Sequence, residues 1–373
     1  MAKKIIFSTG GTGGHIFPAI HLMNHFSEKG YEVLLVTDYR GKNFINNISK
    51  FRSYEIATDT PTNKAIFKKI LSFFLIFLSI FKSIKIIKKE KPDLIFGLGG
   101  YVSFPISFAS KFFGLPLVIY ESNTMMGRAN KFLLSFSNKI LLAGEFVMNL
   151  PKKYHNKAHI VGAILDKKII NFEAEKITNE NKNFTILILG GSQGAEIFGK
   201  VIPTVINMLK VKNFDINVMQ QCTKNQKDEI KNFYEKNNIK NYVFEFDKDI
   251  LNLMTSSNLA ITRCGATATA ELAQTQTPFI AVPLPNSIDN HQYYNARYYE
   301  SRFCCWILEQ RKTKNPKKSF NEINLYNLIV DIVENKNKLE IIRVREFMKQ
   351  ISNKNVYQNI ENEIKRIIDF YEN

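Results

Sequence analysis

Short apolar runs alternate with longer stretches of helical spacing along most of this chain. Lys4–Ser8 reads as a strand, and Phe17–Lys29 carries apolar positions at helical spacing and stops at Gly30. Glu32–Thr37, Asp93–Gly97, Leu117–Glu121 and Lys139–Leu142 read as further strands, with a helix over Val102–Phe113 ending at Gly114. Lys168–Asn183 is charged, asparagine-rich and aperiodic, and reads as a connection between domains. Beyond it the alternation restarts. Phe184–Leu189, Ile216–Gln220, Tyr242–Phe246, Leu259–Thr262 and Phe279–Val282 read as strands, with helices after Gly194 and over Thr267–Gln274. The tail from Asn324 to Asn373 reads as helical and charged. Apolar strands separated by helices predict an α/β protein with parallel, doubly wound sheets.

Two glycine-rich turns punctuate this pattern: Gly10-Gly11-Thr12-Gly13-Gly14-His15 after the first strand and Gly190-Gly191-Ser192-Gln193-Gly194-Ala195 after Phe184–Leu189. Glycine lets backbone approach a ligand closely, and the helix that follows aims N–H groups and its positive dipole end at the same place. Far apart in sequence, the turns predict two Rossmann-like domains facing a shared cleft. Ligands of open α/β sheets bind beyond the carboxyl ends of the strands. Those ends here carry Gly10–His15, Gly97–Tyr101, Glu121–Asn123, Gly190–Ala195, Phe246–Asp249 and Arg263–Thr267.

A chain of 373 residues, 45% hydrophobic, can bury two cores. Its formal charge of +17 favours an anionic partner, although a lysine-rich composition bias accounts for it equally well. The cysteines Cys222, Cys264, Cys304 and Cys305 form no C-x-x-C pair and no disulfide framework, as in a reducing compartment, and no signal-peptide pattern opens the chain. The apolar run Ile70–Phe81 is short for a membrane span and is flanked by Lys64, Lys68 and Lys69 before it and Lys82, Lys85, Lys88 and Lys89 after it. It holds more Phe and Ile than one buried stripe needs. Ala65–Lys89 therefore reads as a helix lying on an anionic membrane surface, the alternative being a helix packed on the sheet with solvated lysines.

Several residues invite chemistry. His15, at a helix start, suits a neutral general base, or a cap. His21 and His25 stand four apart, a metal-binding spacing with no third ligand nearby. Asp247-Lys248-Asp249 has the form of a metal–diphosphate site but reads better as a loop capping the helix from Ile250. Gly190–Ala195 suits a diphosphate, with the Ser192 hydroxyl beside backbone N–H groups. Arg263-Cys264-Gly265-Ala266-Thr267 is a second such turn, and Glu271, one helical turn onward, can accept two ribose hydroxyls.

Together these blocks resemble the MurG family of peptidoglycan glycosyltransferases. The resemblance rests on Gly10–Ala19, Gly97-Leu98-Gly99-Gly100-Tyr101-Val102-Ser103, Glu121-Ser122-Asn123, Gly190–Ala195, Arg263–Thr267 with Glu271, and Asp289–Ala296, in order over most of the chain. It implies the two-domain glycosyltransferase B fold: an acceptor and membrane-binding domain over 1–161, a UDP-GlcNAc-binding domain over 162–350, and a C-terminal helix over 351–373 returning to the first. It implies inverting transfer of GlcNAc from UDP-GlcNAc to the muramyl sugar of lipid I, giving lipid II. The implied location is the cytoplasmic face of the inner membrane, held peripherally through Ala65–Lys89. No metal, no tightly bound cofactor and no nucleic acid are implied.

The residue roles follow the same resemblance. His15 is the expected base and Glu121 its rival. Gly11, Gly99, Gly100 and Tyr101 face the acceptor. Thr12, Gly13, Gly14 and Asn123 serve the donor. Ser192, Gln193 and Gly194 neutralise the UDP phosphates through oriented dipoles. Asp247 lies where the base is read by backbone groups. Ala266, Thr267, Ala268, Thr269, Ala270 and Glu271 hold phosphate and ribose, and Gln292 with Asn295 reaches hydroxyls of the transferred sugar. The chain departs from the family pattern where Gly162-Ala163-Ile164-Leu165-Asp166 places Asp166 at an expected arginine, with Lys167 or Lys168 as compensation. Cys264 stands for a serine, Ser122 for a glutamine and His291 for a glutamine. A diacylglycerol glycosyltransferase of the same fold, or a non-catalytic basic protein binding membrane or nucleic acid, are the competing readings.

Overall fold

The computed structural model describes residues 2–10, 13–46, 51–57, 66–173, 184–191, 195–310, 315–334 and 338–372. The expected ligand residues Gly11, Thr12, Ser192, Gln193 and Gly194 lie outside them, as does Ala65. The chain divides into two compact units, Met1–Asp166 together with Asn355–Asn373, and Lys167–Lys354. The sequence puts the first crossing after 161; the contacts put it after Asp166. The reason is local: the Tyr120 hydroxyl donates to the Gly162 carbonyl at 3.1 Å and accepts from the Ile164 N–H at 3.2 Å, tying the crossing segment to the first unit.

The first unit runs β1 (Lys4–Ser8), α1 (Gly13–Glu28), β2 (Glu32–Thr37), α2 (Tyr39–Asn46), β3 (Ser53–Glu55), α3 (Ile66–Glu90), β4 (Leu94–Gly97), α4 (Ser103–Ala109), β5 (Leu117–Glu121), α5 (Arg128–Leu133), β6 (Lys139–Leu142) and β7 (Ala158–Ile160). The second runs α6 (Lys167–Ile170), β8 (Phe184–Leu189), α7 (Glu196–Val211), β9 (Ile216–Gln221), α8 (Lys227–Lys236), β10 (Asn241–Phe244), α9 (Ile250–Thr255), β11 (Leu259–Thr262), α10 (Ala266–Gln274), β12 (Phe279–Ala281), α11 (His291–Glu300), β13 (Cys305–Ile307), α12 (Glu322–Val333) and α13 (Lys338–Ile351). Helix α14 (Val356–Glu372) then belongs to the first unit.

All strand pairs among the described residues are parallel. The orders are β3-β2-β1-β4-β5-β6-β7 and β10-β9-β8-β11-β12-β13. Helices cover both faces, so strand interiors are apolar throughout: Ile5, Ile6, Phe7, Ile95 and Phe96 in one sheet and Ile186, Leu187 and Ile188 in the other are fully buried. In each sheet the order reverses beside the unit's first strand, between β1 and β4 and between β8 and β11. That reversal is where doubly wound sheets open a crevice at their carboxyl edge.

Three expectations need correction. Helix α1 begins at Gly13 rather than Phe17, so His15 lies inside its first turn; the glycines and Pro18 hide the helical pattern in sequence. The Val102–Phe113 helix is a short α-helix, α4, followed by a 3-10 turn over Ser110–Phe113 and closed by left-handed Gly114. The charged tail is broken into α12, α13 and α14.

Candidate functional site

In the first unit, the turns after β1 and β4 touch through backbone. A Cβ on Gly10 would stand 2.2 Å from Val102 Cγ2, and one on Gly100 would stand 3.5 Å from the Gly10 carbonyl oxygen. Gly99 and Gly100 hold φ of +91° and +78°, which side chains rarely adopt. Ser103 locks that turn by donating its hydroxyl to the Gly100 carbonyl at 2.8 Å. His15 is half-buried in the opening turn of α1. Its ring lies over Gly99, whose missing Cβ would be 3.6 Å from Cε1 and 3.8 Å from Nδ1. Gly13 is buried and Gly14 exposed; Tyr101 is half-buried.

Glu121 ends β5 at 3% exposure. Its Oε1 accepts from the Asn123 N–H at 3.0 Å and the Asn123 amide at 3.1 Å. Its Oε2 accepts from the Gly127 N–H at 2.8 Å and the Asn130 amide at 2.9 Å. A carboxylate offers about four lone-pair sites, and these donors occupy them. Glu121 therefore ties the loop into α5, with Asn123 held at its mouth. Asn130, which no sequence motif singled out, is buried at 2% exposure. The available signal was a polar residue on the buried face that Ala129 and Leu133 define on a short helix.

In the second unit, Gly191 takes φ of +81° directly after β8. The turn after β11 is built from beneath. Arg263 is buried; its guanidinium donates to the Val282 carbonyl at 3.0 Å and the Gln310 side-chain oxygen at 2.7 Å, and lies over the Phe198 ring. Gln292 Oε1 accepts from the Cys264 N–H at 3.2 Å and the Leu284 N–H at 3.0 Å. Asn295, 2% exposed, donates its amide to the Cys264 carbonyl at 3.1 Å. Gln292 and Asn295 thus hold the turn. Burial pushes the Cys264 thiol well above its ordinary pKa, so it stays a neutral thiol.

Gly265 offers α10 no side-chain cap, and the first-turn N–H groups of Ala266, Thr267 and Ala268 have no intrahelical acceptor. Thr269 turns its hydroxyl inward to the Gly265 carbonyl at 3.0 Å, and Ala270 is buried. Thr267, Ala268 and Glu271 are half-buried on the same helix. Beyond β10, Asp247 accepts from the Tyr242 hydroxyl at 2.7 Å and the Asp249 N–H at 2.7 Å, while Asp249 caps α9. Phe246 beside them is 64% exposed.

Of the His21 and His25 pair, His25 is tied into the fold. His25 meets Glu361 of α14 at 3.2 Å. Burial lowers the His21 imidazole below its usual range, opposed by Asp166. Among the described residues, no group of three or more His, Cys, Asp or Glu side chains is arranged to hold a metal ion.

The comparisons with known proteins cover the same two units. The glycosyltransferase family 28 N-terminal domain matches residues 5–142, and the family 28 C-terminal domain matches residues 185–354. A Pelagibacter ubique (strain HTCC1062) protein named UDP-N-acetylglucosamine--N-acetylmuramyl-(pentapeptide) pyrophosphoryl-undecaprenol N-acetylglucosamine transferase is 35% identical over 370 residues, 99% of either chain. A Rickettsia bellii (strain RML369-C) protein of the same name is 34% identical over 357 residues, 94% of this chain and 98% of that one. The crystal structure of Acinetobacter baumannii MurG superposes with a TM-score of 0.76 at 23% identity, covering 98% of this chain and 99% of that one, a likeness of fold. With a family domain on each unit and relatives of this identity along the full length, the chain belongs to glycosyltransferase family 28.

Proposed function

We propose that this protein transfers GlcNAc from UDP-GlcNAc to the muramyl sugar of undecaprenyl-linked lipid I, forming lipid II. The observation that carries this is the 35% identity to a transferase of that name across 99% of both chains. The second unit takes the donor. Phosphate oxygens meet the N–H groups that open α10 and the Gly190–Ala195 turn, where oriented dipoles favour anionic charge. Glu271 accepts from the ribose, and the exposed ring of Phe246 offers a flat face to the base. Gln292 and Asn295 support this surface from below, and their side-chain oxygen and amide keep the Cys264 turn in register.

The first unit takes the acceptor at the Gly10–His15 and Gly97–Tyr101 turns. The acceptor hydroxyl attacks the anomeric carbon, the bond to the UDP oxygen breaks, and the configuration inverts. His15 receives the hydroxyl proton. The UDP dianion leaves into the N–H groups that already hold it, which lowers the barrier where negative charge develops. Glu121, with its lone pairs occupied by four donors, serves to hold Asn123 and the 121–130 loop.

No described helix is long and apolar enough to cross a membrane. The acceptor's lipid instead brings the first unit to an anionic surface at the cytoplasmic face. Helix α3 supports this: Phe74, Phe77, Leu78 and Phe81 are about half exposed, beside the exposed Lys82, Lys85, Lys88 and Lys89. Labelled UDP-GlcNAc with a lipid I analogue or diacylglycerol as acceptor tests the reading. Labelled lipid II and no glycosyl-diacylglycerol is the expected result; transfer to diacylglycerol alone overturns it.

A further inference from the structure

The Asn130 side chain is buried at 2% exposure, yet its Oδ1 has no hydrogen-bond partner. Its orientation is set by chemistry: the other amide atom lies 2.9 Å from both the Tyr120 carbonyl and Glu121 Oε2, which only accept, so that atom is the nitrogen. A buried amide oxygen calls for a donor. The Cε1–Nδ1 edge of His15 and the Asn130 amide nitrogen lie within 4 Å of where a Gly99 Cβ would stand. The Asn130 amide, whose oxygen is unpaired, thus borders the same point over Gly99 as the His15 ring.

We propose that Asn130 is a positioning residue for the transfer reaction, its amide oxygen accepting the Nδ1–H of His15 when the imidazole takes up the acceptor's proton. The inference rests on His15 being the base. Glu121 is then the anchor of a chain that runs Glu121 to Asn130 to His15. The carboxylate fixes the amide, the amide oxygen selects the Nδ1–H tautomer, and Nε2 is left to receive the proton. As the ring becomes cationic its Nδ1–H donates more strongly, so the contact stabilises the charged state more than the resting one. The charged or titratable groups on the described loops bordering Gly99 are Tyr101 ahead of α4, Glu121 on β5 and Arg128 opening α5. All three are unchanged in the variants below.

The test is 15N NMR of the histidine-labelled full chain, with His15 signals assigned by their loss in His15→Ala. In the wild type we expect the proton on Nδ1 at neutral pH. A His15 ring protonated on Nε2 overturns the inference without any reference to activity. Asn130→Ala, and the volume-keeping Asn130→Leu, should lose the tautomer preference. They should lower kcat roughly tenfold to a hundredfold with the donor KM within about twofold, and move the acid limb of the kcat profile to lower pH. An Asn130 variant that melts like the wild type and keeps its kcat also overturns it. An acid limb that persists in His15→Ala overturns the assignment of the base, and the NMR result then judges the Asn130 contact separately.

Discussion

Gly99 has φ of +91°, so an added methyl group carries a backbone penalty, while it meets the His15 imidazole edge only at van der Waals distance. Gly99→Ala should lose about 1 kcal/mol from the left-handed backbone alone. The His15 ring has room for the added methyl, so kcat should fall no further than the stability loss explains; a melting curve beside a kinetic assay checks both. Gly10 meets a harder limit, because its neighbour at 2.2 Å is the branched Val102 in a packed turn. Gly10→Ala should destabilise by about 1–3 kcal/mol, and Val102→Gly in the same chain should recover part of that, measured by urea denaturation. At this scale the glycines were readable, since only a close approach or a positive φ calls for so many at a strand end. Asn130 and Arg263 were not. The apolar neighbours Ala129 and Leu133 hint that Asn130 is buried, but a sequence does not say which buried amide or guanidinium props a turn.

Helix α3 reverses the usual distribution of side chains. Ser72, Ser79, Ser83, Ile86, Ile87 and Glu90 are buried, whereas Phe74, Phe77, Leu78 and Phe81 point outward. Ser79 donates to the Ala57 carbonyl, which joins α3 to the segment after β3, and Ser83 donates to the Ser79 carbonyl one turn back. Glu90 is buried against Arg52, Lys4 and the Tyr54 hydroxyl. The buried serines let α3 pack closely while Phe74, Phe77 and Phe81 stay outside. Replacing Phe74, Phe77 and Phe81 together by serine should therefore leave the melting temperature within a few degrees. It should lower partitioning to anionic vesicles by about 100-fold or more in a sedimentation assay, since each buried ring is worth roughly 1.5–3 kcal/mol. The existence of this helix was legible from its apolar content, but not which face turned inward. The short edge strands β3, β7 and β13 were missed because three residues carry no period to detect.

At the scale of the whole molecule, the first unit is closed by residues from the far end of the chain. The His25–Glu361 contact spans 336 positions, Lys29 and Lys365 add ion pairs to the same carboxylate, and the Tyr357 hydroxyl donates to the Leu165 carbonyl. Burial pushes the Glu361 pKa up, but Lys365, Lys29 and His25 together pull it below its usual range. A depressed carboxylate contributes stability that is present above the unfolded value, about 4.3, and is lost as pH falls through the folded value. Glu361→Gln should therefore be less stable than the wild type at neutral pH, with the gap closing toward pH 3 in paired thermal melts. Strand alternation revealed two doubly wound sheets, whereas the returning helix came only from the family resemblance, because a docking site so distant leaves no periodic trace in either partner.

That return has a bearing on how the protein is made. Ribosomal synthesis delivers the whole second unit before α14, so the face of α1 around His25 has no cover while Lys167–Lys354 is being added. The first unit, begun earlier, therefore gains its α14 cover only after the second unit has been made.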